Sequence, residues 1–197
     1  MFLNKNFILA SKSSSRAAIL KKNNVVFQQT KPKVNEEELK QKNKNKNNAK
    51  KLTEFLAKEK AKSIKKKDTL ILGVDTAIYF RGEIINKAKN IKEAKNKILH
   101  LSGKKHNIYS SAACYYNNKL VWFKTQKSTV KIRNLSEKEV EKYLKLCGKS
   151  VLKSVGCYRV EKEGPNIIEN ISGDFFNVMG LPLFPFLKFL KKFNIKK

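Results

Sequence analysis

The stretch TLILGVDTAIYFRGEIINK, residues 69–87, decides how the chain is read. Its first six residues are a near-continuous apolar run, as expected of a strand buried on both faces. Asp75 follows at once, and AIYF and EIIN then flank Arg81-Gly82, the pattern of a small hairpin. A buried strand that ends in Asp-Thr is where ligands gather in open α/β sheets. An ordinary turn would also place an aspartate there, so the neighbouring segments have to decide.

Upstream, FILA reads as a short buried strand, and SKSSSRAAILKK as a polar loop entering a helix with serine caps. VVFQQ at 25–29 reads as a second strand. NEEELKQ and the low-complexity KNKNKNN read as a solvated loop or frayed helix. AKKLTEFLAKEKAKSIKKK has helical spacing, with Leu52, Phe55, Leu56 and Ile64 along its apolar side. On that wheel Lys58, Lys62 and Lys65 point away, whereas Lys60 falls between Leu56 and Ile64. Lys60 is then either a snorkelling stem at the edge of the core or a charge aimed inward.

Downstream, NIKEAKNKILHLSG reads as a helix, with Asn90 and Glu93 in capping-box spacing and Gly103 at its end. Two long strands are expected around Asn117-Asn118. Ser136 and Glu139 open another helix, VGCYRV and NIIENI read as strands, and a basic, Phe-rich helix follows LPLFPF. The pattern predicts an α/β fold, a mixed twisted sheet with flanking helices. A single domain over 1–197, two lobes around a cleft at strand carboxyl ends, is the expected organisation.

The chain carries 44 Lys+Arg against 16 Asp+Glu, a formal net charge of +28. Such a balance attracts phosphate-bearing partners. Nearly all of it is lysine, however, and the lysines travel with asparagine (KQKNKNKNNAKK), as an AT-rich genome would produce on any solvated surface. Base readout favours arginine as well as lysine, and only Arg16, Arg81, Arg133 and Arg159 are present, which argues against a nucleic-acid partner. Three cysteines without C-x-x-C spacing and two histidines indicate neither a disulfide framework nor a zinc site. With no signal-peptide pattern and no long apolar run, the expectation is a reduced cytoplasmic protein without a membrane partner.

Nucleotide fingerprints fail. LCGKS at 146–150 lacks the first P-loop glycine, since position 143 is Tyr, and no G-x-G-x-x-G occurs. What remains is a constellation: hydroxyls and Arg16 at a helix N-terminus, Lys60, Asp75, Lys87 beyond the hairpin, and Glu161 at the end of the expected strand GCYRV. Helix N-termini bind phosphate. Cations can hold a polyphosphate while carboxylates hold a metal or deprotonate water, and hydrolysis between the α- and β-phosphates needs that set.

The blocks ILASKSSSRAAIL, LAKEKA, ILGVDTAIYFRGEIINKAKNIKEAKNKILHLSGKKHNIYS, LSEKEVEKYL and VGCYRVEKEGPNIIENISGDFFNVMGLPL come in the order seen in the Maf family. The chain resembles these nucleoside triphosphate pyrophosphatases, once called septum formation proteins, from about Phe7 to Phe189. The resemblance implies a fold related to the inosine triphosphate pyrophosphatases. It also implies cleavage of a nucleoside triphosphate to monophosphate and diphosphate with a divalent metal, Mg²⁺ or Mn²⁺, and a homodimer. By the same resemblance Ser11, Ser13 and Arg16 are the phosphate-binding first loop and Lys60 is the lysine of LA..KA. Asp75 is the proton acceptor or a metal ligand, Lys87 the lysine after GE, and Glu36 a second metal-ligand candidate.

Two departures bear on substrate. The family's S-G-S-P-R-R loop is S-K-S-S-S-R here, with Ser15 and Ala17 flanking one arginine. Glu161 stands where the dTTP/UTP-preferring branch has Gln and the 7-methyl-GTP branch has Glu. A carboxylate accepts from the N–H edge of a guanine, whereas an amide both donates and accepts. The alternatives are a nucleic-acid-binding protein using the lysine surface and a cell-division regulator that docks partners through the closing helix. A Cys157 nucleophile lacks any supporting Cys–His spacing.

Overall fold

The computed structural model describes residues 6–195. At its centre β3 (Leu70–Phe80) carries the apolar run, Asp75 and AIYF in one continuous strand of 11 residues. Asp75 therefore does not end its strand; it lies in the middle. The physical reason is β5 (Lys105–Tyr116), which pairs antiparallel with β3 from Leu70↔Tyr116 to Tyr79↔Asn107 and sets Asp75 opposite Ser111. That ladder runs without a register shift through the aspartate, so the strand continues past it.

The other edge of β3 is interrupted. β1 (Phe7–Ala10) pairs with it in parallel only as far as Ala10↔Gly73, and β4 (Glu83–Ile85) takes up Ile78 to Phe80. Among the described residues, 74–77 have no strand partner on this side. The sheet runs β2-β1-β3-β5-β6-β7, with β2 (Gln28–Thr30), β6 (Lys119–Ile132) and β7 (Ile168–Ser172) completing the mixed sheet. The β5–β6 hairpin turns through Asn117 and Asn118, both at positive φ, as a two-residue hairpin loop demands.

The helices are α1 (Ser14–Lys22), α2 (Glu36–Lys42), α3 (Ala49–Lys62), α4 (Ile91–Leu101), α5 (Glu137–Cys147), α6 (Phe175–Val178) and α7 (Leu183–Ile195). One face of the sheet is covered by α3, whose Ala57 and Ala61 pack with Ile8, Ile71 and Ala113. A Cβ on Gly73 would lie 2.1 Å from the Ala57 carbonyl oxygen and 2.5 Å from the Ala61 nitrogen, so only glycine lets α3 lie this close. On the opposite face α1 and α7 cover Leu9, Leu72 and Val74, and α4 and α5 cover Ile78, Ile108 and Val130. Phe186 and Leu190 bury α7 in this core.

Of the two readings left open for NEEELKQ, the helix holds: it is α2, capped by Asn35, and the Lys/Asn run after it is turn. Other local expectations change. VVFQQ contributes only its last residues to β2. VGCYRV is not a strand: Cys157 adopts φ 58°, and the Arg159 carbonyl accepts from Lys162 N and Gly164 N, curling the segment into turns. The Ser136–Glu139 capping box forms fully. Asn90 caps Glu93 N, but the Glu93 carboxylate accepts from Lys89 N instead of closing the box. Cys114, Cys147 and Cys157 are free, and burial pushes the Cys157 thiol up, away from nucleophilic character. No helix among the described residues is long and apolar enough to cross a membrane.

Candidate active site

The break in the β3 edge is where the candidate residues meet. Beyond Ala10 the chain leaves the sheet and forms the loop that enters α1. The gap in strand pairing thus lies beyond the carboxyl end of β1 and against the middle of β3. Gln29 of β2 steadies the loop by donating to the Ser11 carbonyl at 2.8 Å. Ser13 caps α1, its Oγ accepting from Arg16 N at 3.3 Å. Ser11 is buried, and its Oγ accepts from Ser13 N at 3.2 Å and from Arg16 Nη1 at 3.1 Å.

Arg16 crosses the gap. Its Nη1 donates to the Val74 carbonyl at 3.1 Å, its Nη2 to Thr76 Oγ1 at 2.9 Å, and its Nε to the Gly180 carbonyl at 2.8 Å. Burial lowers its pKa, and the nearby charges of Asp75 and Glu36 oppose that shift.

From the other side α3 delivers Lys60, inward as the wheel indicates. It is not a snorkelling stem: its Nζ donates to Asp75 Oδ1 at 2.6 Å and lies 3.1 Å from Glu36 Oε1 at the start of α2. Burial disfavours the Glu36 charge, but Lys60, then Lys40 and Arg16, outweigh it and hold that carboxyl below its usual range. Lys87, exposed at the rim, is lowered by desolvation and by Arg16, which places it among the same charges.

Glu161 arrives by a turn, not by a strand. Its Oε1 accepts from Ser15 Oγ at 2.8 Å and from Arg159 Nε and Nη2 at 3.2 and 3.0 Å. It thereby abuts the first turn of α1. Sequence reasoning missed Thr76, Gly180 and Gln29 in this arrangement, and assigned Ser15 and Arg159 no contact with Glu161. LPL and GVDT lie in the quoted blocks, but nothing local indicates that Gly180 serves Arg16.

Among the described residues no group of three or more His, Cys, Asp or Glu could hold a metal alone. Two carboxylates do converge, Asp75 and Glu36, and both face one cationic position, that of the Lys60 ammonium. Mg²⁺ characteristically takes one or two carboxylates and completes its shell with water and substrate phosphates. The donor set fits that habit.

The Maf-like protein family model matches residues 6–193. The chain is 37% identical over 195 residues to a 7-methyl-GTP pyrophosphatase of Bartonella henselae, covering 98% of both chains. It is 37% identical over 190 residues to a dTTP/UTP pyrophosphatase of Aquifex aeolicus, 95% of each. A nucleoside triphosphate pyrophosphatase of Caulobacter vibrioides is 32% identical over 185 residues, 93% of each. With the family model spanning nearly the whole chain, this protein belongs to the Maf-like family.

Proposed function

We propose that the protein is a nucleoside triphosphate pyrophosphatase, a hydrolase that splits the α–β phosphoanhydride bond to give a nucleoside monophosphate and diphosphate. The observation that carries this reading is the Asp75–Lys60–Glu36 contact, set in a sheet-edge gap faced by a serine-rich helix N-terminus and Lys87. Relatives with pyrophosphatase names over nearly their whole length support it.

In this reading Ser11, Ser13 and the amides of the first loop receive phosphate oxygens. Lys87 and Lys60 counter the charge that builds on diphosphate as it leaves. Asp75 accepts the proton of the attacking water. Asp75 and Glu36 would hold a divalent cation such as Mg²⁺ or Mn²⁺, which supplies charge neutralisation on the phosphates when bound.

For substrate, Glu161 favours a guanine-type base, and an N7-methylated guanine adds a positive charge that suits a carboxylate. Its Oε1 is taken by Ser15 and Arg159, so Oε2 is the oxygen available to accept from a base N–H. A dTTP/UTP substrate is the competing reading, favoured by the equally similar Aquifex relative. The same reading places the protein in the cytoplasm, as a homodimer.

The test is purified protein with Mg²⁺ or Mn²⁺ against 7-methyl-GTP, GTP, dTTP and UTP, with products separated by chromatography. Monophosphate plus diphosphate, lost by on the order of 10²–10⁴ in Asp75→Asn, is the expected result. Turnover indifferent to Asp75, or none, would sink the reading.

A further inference from the structure

Arg16 donates to four acceptors: Gly180 O, Ser11 Oγ, Val74 O and Thr76 Oγ1. A guanidinium has five N–H groups, so one, on Nη2, is left over. The Val74 carbonyl lies in the unpaired edge of β3, so Arg16 supplies there what a neighbouring strand would supply.

Proton directions follow from the ends of the network. A guanidinium can only donate and a carbonyl can only accept. Arg16 donates to Thr76, and Ser110 Oγ donates to the Asn177 carbonyl at 2.9 Å. The 2.9 Å contact between Thr76 and Ser110 therefore uses the Thr76 proton, for which the Gly180 carbonyl at 3.4 Å is the second, longer acceptor. Thr76 is spent on the protein interior. Ser11 is the reverse case. Its oxygen accepts twice, from Arg16 and from Ser13 N, and a hydroxyl has two lone pairs. Its proton is all it has left to offer, which makes it an obligate donor, suited to an anion.

We propose that Arg16 is a positioning residue rather than a phosphate ligand. It fixes Ser11 as a donor to the triphosphate, and it holds Asp75 from both sides, through the Val74 carbonyl and the Thr76 hydroxyl. This assignment rests on the pyrophosphatase reading. It also gives the closing block of the sequence a task, since Gly180 and Asn177 anchor the two ends of the network.

The experiment combines steady-state kinetics on the best triphosphate with calorimetric binding of inorganic pyrophosphate, for wild type, Arg16→Lys, Ser11→Ala, their double variant and Thr76→Val. A lysine keeps the charge but not the fork. Expected for Arg16→Lys is a kcat lower by about 10²-fold with pyrophosphate affinity within about threefold. The double variant should lose less than the product of the two singles. A loss of affinity of about tenfold or more at unchanged kcat, multiplying with Ser11→Ala, would overturn the proposal and make Arg16 a phosphate ligand. Should Arg16→Lys fail to fold, Thr76→Val decides: a fall in kcat at constant pyrophosphate affinity supports the proposal, and unchanged kcat overturns it. Absence of turnover by the wild type sinks the pyrophosphatase reading itself, whereas an active wild type with unaffected Arg16→Lys sinks only this one.

Discussion

Lys60 Nζ stands 2.6 Å from Asp75 Oδ1, and the two side chains are 7% and 11% exposed. A pair this buried gains from attraction but has left water, and its partners depend on one another. Glu36, 43% exposed, joins from the rim at 3.1 Å, so one ammonium serves two carboxylates.

Removing that ammonium should expose the dependence. In Lys60→Met, two carboxylates face each other without the ammonium that touches both, and the fold should lose roughly 3–5 kcal/mol. Mg²⁺ or Mn²⁺ should then raise the thermal midpoint of the variant more than that of wild type, because the metal would relieve the repulsion. Equal shifts in a thermal melt would show that Asp75 and Glu36 do not share a metal.

Gly73 tests how Lys60 reaches its partner. In Gly73→Ala the added methyl meets the backbone of α3 at Ala57 and Ala61, which cannot move as a side-chain tip could. The helix must lift, at a cost of about 1–3 kcal/mol. Since α3 carries Lys60, activity should fall by about 10²-fold even where the variant is fully folded. Urea denaturation beside kinetics at low temperature separates the two effects.

His106 predicts a pH dependence of stability. Its Nε2 lies 2.5 Å from the Tyr158 hydroxyl, its Nδ1 has no partner among the described residues, and burial lowers its pKa from 6.5 to about 4. Between those values the unfolded chain binds a proton that the folded chain does not, so stability rises with pH across the window. The contribution is complete above about 6.5 and is lost as pH falls toward 4, roughly 3 kcal/mol in all. The difference in urea midpoint between pH 7 and pH 4.5 should be smaller in His106→Gln than in wild type.

Glu161→Gln should alter selection more than rate. An amide can donate as well as accept, so kcat/KM for 7-methyl-GTP relative to dTTP should fall by about tenfold or more. Substrate competition in one mixture measures the ratio directly. No change in it would remove Glu161 from base recognition.

Much of this was legible in residue order. The α3 wheel turned Lys60 inward, and it is inward, because helical spacing against an apolar face leaves little freedom. The strand character of residues 70–80 was legible too, but its continuity through Asp75 was not. Continuity is set by β5 running opposite, and an apolar pattern reports burial without naming the partner. VGCYRV misled for a related reason. Its β-branched and aromatic residues suit a strand, yet Cys157 takes a left-handed backbone and Arg159 collects a turn's amides. The Arg16–Gly180 bond spans 164 positions, and no local rule reaches that far.

That span also sets an order of events during synthesis. The carbonyl of Val74 has no strand beside it on the β1 side, and Arg16 is made early, but Gly180 comes late. A chain emerging from the ribosome can build α3 against β3 and can even pair Lys60 with Asp75. It cannot finish the Arg16 network until Gly180 is free of the exit tunnel. A chain ending before Gly180 therefore has Lys60, Asp75 and Glu36 in its sequence but lacks the acceptor that Arg16 Nε needs.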